Sequence, residues 1–152
     1  MTAFREYTSA VDAVNQIIAG RMGINRTDHR VLEIIARLGP VTAGDLATAG
    51  HLTTGAVTAV LDRLEDVGYV RRIRDTDDRR RVLVEQTPEG TKTAMRYYAP
   101  YMNRSFEAMT KYSADQLAVI RDFMRGATAI TEEYVKELRA AGADPAHVAE
   151  TG

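Results

Sequence analysis

The stretch that most constrains the fold runs from Thr53 to Gly90: TTGAVTAVLDRLEDVGYV, then RRIRDTDDRRRVLVEQTPEG. The first part opens on hydroxyls, places Val57, Val60, Leu61 and Leu64 on one side, and closes at Gly68. That is the pattern of an amphipathic helix capped by Thr53. The second part has two short segments rich in β-branched and aromatic residues, Tyr69 to Arg74 and Arg81 to Gln86, around a loop of arginine and aspartate. They predict a hairpin. Thr87-Pro88-Glu89 then starts another helix, with a hydroxyl cap, proline at the first position and acid in the first turn. A slim helix followed by a basic hairpin suits a duplex. Such a helix can fill a major groove while arginines on the loop reach the neighbouring minor groove.

The flanking residues complete the outline. Phe4, Tyr7, Val11, Val14 and Ile18 mark one helical face between Thr2 and Met22. A second helix is expected from an N-cap at Thr27, with Asp28 complementing the helix dipole, to Gly39-Pro40. Thr42 and Asp45 have the spacing of a capping box and start a short third helix. With Gly50 as the turn residue, that helix and the one after Thr53 match a helix-turn-helix. After Pro88 a helix runs to about Tyr112, bent at Pro100. Ser113 and Gln116 cap a last helix whose apolar residues extend from Leu117 to Leu138. The expected fold is mainly α with a small two- or three-stranded β wing. It is read as a single domain over residues 1–142, with a winged helix-turn-helix lobe at 27–90, long outer helices at 1–22 and 88–140, and a disordered tail at 143–152.

Composition enters through charge and cysteine. The net charge is −1, yet six arginines face three aspartates between Arg71 and Arg81, while acid gathers towards the C-terminus. Local distribution matters more than the total for a nucleic-acid partner. The chain has no cysteine, which excludes disulfides, thiolate metal sites and thiol sensing. Charged residues interrupt the N-terminal apolar positions, so no signal peptide is expected, and no apolar run is long enough for a bilayer. The expected location is the cytoplasm, with no membrane contact.

The candidate DNA-contacting residues are Thr53, Thr54, Gly55, Thr58 and Arg63 on the helix, and Arg74, Asp78, Arg79, Arg80 and Arg81 on the wing. No Arg, Asn or Gln lies between Thr53 and Leu61. Phosphate contacts and shape should therefore carry much of the selectivity. Asp77 and Asp78 read as anchors for an arginine, in a network that Asp62 and Arg63 could join. The outer helices could enclose a pocket lined by Ile18, Met22, His29, Tyr98 and Met102. His29 and His51 otherwise read as surface or capping residues, and three scattered histidines predict no metal site. No nucleophile–base pair or phosphate-binding glycine loop points to an enzyme, so neither catalytic residues nor cofactors are expected. A small-molecule-binding helical dimer without DNA-binding activity is the alternative.

The runs Leu61 to Glu65 (LDRLE), Gly68 to Arg72 (GYVRR), Asp75 to Val84 (DTDDRRRVLV) and Thr87 to Gly90 (TPEG) resemble the MarR-type transcriptional regulators. The resemblance implies an obligate two-fold homodimer, joined through the N-terminal helix and the two C-terminal helices. It implies a palindromic double-stranded operator, usually repressed, and often released by a small aromatic or phenolic effector. It makes Arg80 the arginine that enters the minor groove and Asp78 its orienting partner. Ala56 and Ala59 depart from the small hydroxyl and basic residues common in the family, which bears on operator affinity and base preference.

Overall fold

Local capping decides where most elements begin. The computed structural model describes residues 2–142, so the expected tail at 143–152 lies outside the described residues. The order is α1 (Thr2–Arg21), α2 (Arg26–Leu38), β1 (Val41–Thr42), α3 (Ala43–Gly50), α4 (Thr54–Asp66), β2 (Val70–Arg74), β3 (Val82–Gln86), α5 (Pro88–Met109) and α6 (Ala114–Gly142). Thr42 and Asp45 form the expected capping box, and the Thr53 hydroxyl accepts the Ala56 amide at 3.2 Å. Thr87 caps α5 by accepting the Gly90 amide at 3.0 Å.

Three local expectations are corrected. The N-cap of α2 is Asn25 rather than Thr27; its side-chain oxygen accepts the Asp28 amide at 2.9 Å. Asparagine caps at least as well as threonine, and starting two residues earlier turns Asp28 and His29 inward. The turn after α3 falls on His51, not Gly50. His51 takes the left-handed cap at φ 53, while Gly50 is the last helical residue and is buried. His29 is buried rather than superficial, at 4% exposure.

The sheet has three antiparallel strands in the order β1-β3-β2. Val70 pairs with Gln86 and Arg74 with Val82, and the two-residue β1 adds Val41 opposite Val84. The described chain divides into two compact units, one up to Met102 and one from Asn103, with the boundary inside α5. The first unit holds the core: Val31 and Ile35 of α2, Leu46 of α3, Val57, Leu61 and Leu64 of α4, and Val84 of β3. Each such side chain contributes roughly 1.5–3 kcal/mol through burial. In the second unit, Ser113 and Gln116 make the reciprocal cap of α6. No described helix is long and apolar enough to cross a membrane.

Candidate nucleic-acid interface

The helical period of α4 separates its two faces. Val57, Val60, Leu61 and Leu64 are buried, whereas Thr53, Thr54, Gly55, Thr58 and Ala59 are exposed. A side chain built at Gly55 would meet nothing within 4 Å. The Thr58 hydroxyl bonds back to the Thr54 carbonyl at 3.1 Å, which leaves its methyl and a lone pair for an incoming partner. This face is small enough for a duplex to approach the helix backbone closely.

The wing tip is built by its aspartates. The Asp75 amide donates to the Arg81 carbonyl at 3.1 Å, and the Arg81 amide to the Asp78 carbonyl at 2.8 Å, so the loop closes on itself. Asp75 accepts the Asp77 amide at 2.9 Å, and Asp78 accepts the Arg80 amide at 3.0 Å. Arg80 Nε lies 3.6 Å from the Asp78 carboxylate, and its side chain is 95% exposed. Arg81 instead turns to Asp75, at 3.5 Å. Among the described residues, Arg74 and Arg79 have no carboxylate within ion-pair reach, and the Asp77 carboxylate holds no arginine. Of the two aspartates expected to anchor an arginine, Asp78 does so, while Asp75 takes the place expected for Asp77. The tip thus presents Arg80 and Arg79 outward, with Arg74 exposed on β2.

Asp62 and Arg63 do not join the wing-tip network. Asp62 accepts Arg72 Nη2 at 2.7 Å, and Arg72 also binds Glu65, so β2 is bolted to α4. Hydrogen bonding to Asp62, against a smaller opposing effect of burial, holds the Arg72 pKa above its ordinary value. Arg63 forks onto Asp28 of α2, with Nε at 3.0 Å and Nη2 at 2.6 Å. The sequence reading missed Arg72 and Asp28 as parts of this assembly. Arg72 had a signal, since it follows Asp62 and Glu65 across a single turn. Asp28 is 35 residues from Arg63 and had none.

Met22, His29, Tyr98 and Met102 line a cavity of about 590 Å³ together with Arg30, Glu33, Arg37 and Gln86. Ile18 does not line it; this residue is 6% exposed and packs in the core. The Tyr98 hydroxyl lies 2.7 Å from the Asn15 side-chain oxygen and 2.8 Å from His29 Nε2. Burial, with Glu33 and Tyr101 adding to it, pushes the Tyr98 pKa up to about 12. Glu33 stands 3.7 Å from the other ring nitrogen of His29. The cavity therefore has an apolar floor, a hydrogen-bonding corner and two arginines on its wall.

Comparison with known proteins follows the same outline. A family model, MarR family, matches residues 24–82. The chain is 33% identical over 136 residues to an uncharacterized HTH-type transcriptional regulator, YcgE, of Bacillus subtilis, covering 90% of this chain and 88% of that protein. Among solved structures it is similar to the transcriptional regulator BldR of Sulfolobus solfataricus (TM-score 0.59, 27% identity, 87% of this chain and 91% of that one). It also shares the fold of a mutant E. coli MarR complexed with operator DNA (TM-score 0.57, 22% identity, 83% and 91%). A winged helix-turn-helix with this helix, this wing and these relatives has one assignment: the chain belongs to the MarR family, whose members are transcriptional regulators rather than enzymes.

Proposed function

We propose that the protein is a homodimeric repressor that binds a palindromic operator, with α4 in the major groove and the wing tip in the adjoining minor groove. One observation carries this reading. The slim exposed face of α4 and the outward Arg80 belong to one braced assembly, since Arg72 ties the wing strand to the helix. The operator complex of the E. coli MarR mutant, which shares the fold, supports the same partner here. Dimerisation is supported by apolar side chains left exposed in each unit: Tyr7 and Ile17 on α1, and Val119, Ile130, Tyr134 and Leu138 on α6. Exposed apolar area of this kind usually marks an interface. The cavity beside Tyr98 suits a small aromatic ligand, since Met22, Met95 and Met102 line it together with Arg30, Arg37 and the carboxylate of Glu33.

The test is binding to a palindromic duplex across a range of salt. Affinity should fall steeply with salt as arginines release condensed cations. Arg80→Ala should weaken operator binding by about tenfold or more, the worth of one good groove contact, with melting unchanged. A flat salt dependence, or wild-type binding by Arg80→Ala, contradicts the proposal.

A further inference from the structure

Arg63 lies on α4 next to the residues assigned to the duplex, and its side chain is half exposed. Position alone groups it with the phosphate-contacting cations. Its geometry assigns it another task. We propose that Arg63 is a positioning residue: its fork onto buried Asp28 sets how α4 projects from α2, and so controls selectivity for the operator rather than general affinity for DNA. The inference rests on the reading above, that α4 enters the groove.

The Asp28 side chain is only 3% exposed, so it cannot touch a phosphate. Both of its oxygens are engaged by Arg63 Nε, at 3.2 and 3.0 Å, and Nη2 adds a third contact at 2.6 Å. Such a fork fixes direction as well as distance. A buried carboxylate stripped of its cation is strongly unfavourable, so α4 cannot roll or swing without that cost. The anchor itself is fixed. Asp28 donates its amide to the Asn25 cap and sits in the first turn of α2, where the helix dipole favours a carboxylate. Hydrogen bonding to Asp28 also holds the Arg63 pKa above its ordinary value.

The grip lies near the C-terminal end of α4, while Thr54 and Thr58 lie towards its start. Thr54 is nine residues from Arg63, which is about 13 Å along a helix. A few degrees of rotation at the fork therefore shift the groove-facing end by about 1 Å, enough to misplace a hydrogen bond.

The experiment compares two duplexes of equal length, a palindrome selected by the wild-type protein and its scrambled counterpart, by anisotropy at several salt concentrations. The variants are Asp28→Asn, Arg63→Gln, their combination, and Arg63→Lys, which keeps the charge but loses the fork. Each single variant should lower affinity for the palindrome by about tenfold while leaving the scrambled duplex within about twofold. The salt slope should not change, and the double variant should be no worse than either single one, because one interaction is lost only once. A loss of fold stability alone would move the melting temperature without changing the ratio between duplexes. The inference is overturned if Arg63→Gln flattens the salt slope by about one unit and weakens both duplexes alike while Asp28→Asn keeps full selectivity. Should Asp28→Asn and Arg63→Gln fail to fold, Arg63→Lys decides: lost selectivity at an unchanged slope supports the fork, and wild-type selectivity overturns it. A wild-type protein that prefers no sequence overturns the underlying reading instead.

Discussion

Tyr98 joins two tasks in one side chain: it walls the cavity, and its hydroxyl links Asn15 of α1 to His29 of α2. Burial raises its pKa to about 12. A phenol whose folded pKa exceeds its unfolded value, near 10, stabilises the fold fully below pH ~10. That contribution is lost as pH rises towards 12. Titration of phenolate absorbance should therefore show a late step near pH 12, with melting temperature falling above pH ~10. Tyr98→Phe should lack the late step and lose less stability across that interval. Superimposable curves for the two proteins would contradict this account. At the residue scale, legibility followed sequence distance. The Thr42, Thr53, Thr87 and Ser113 caps reach partners three residues away, and the sequence shows them. The Asp28–Arg63 pair spans 35 residues, so only the folded chain brings it together; His29 and Tyr98 were placed in one pocket from the sequence, but the hydrogen bond between them was not.

Gly90 illustrates the element scale, where α5 meets the start of the wing. Its backbone conformation is ordinary, so flexibility is not what the position requires. A Cβ there would lie 2.9 Å from Tyr69 Cα and closer still to the Tyr69 carbonyl oxygen. That oxygen already accepts the Thr87 amide at 2.9 Å and cannot move aside freely. Gly90→Ala should cost about 2 kcal/mol or more in urea denaturation, the scale of overpacking a rigid contact. A loss below about 0.5 kcal/mol would show that the contact yields. The long, strongly periodic elements were legible, α4 and the wing above all, because burial repeats every three to four residues in one and the strands carry branched side chains. Strand β1 was not legible, since two residues carry no period and Val41 becomes a strand only by meeting Val84. The α2 cap was misread because Asn25 and Thr27 are both competent caps two residues apart, and the stronger of the two, asparagine, takes the position.

At the scale of the whole molecule, the apolar stripe of α6 could be read from spacing, but what covers it could not. Ile130 and Tyr134 remain 70% and 59% exposed in the single chain, which is where a second copy enters the account. The sequence of a bound duplex is likewise absent from any pattern in the chain, because the exposed start of α4 carries threonine, glycine and alanine instead of a long base-reading side chain. Selection of bound duplexes from a random DNA pool tests the central claim most directly. The account predicts enrichment of an inverted repeat, its half-sites about 10 base pairs apart centre to centre, bound by two copies of the chain. Enrichment of no sequence, or of a lone half-site held by a single copy, would contradict it.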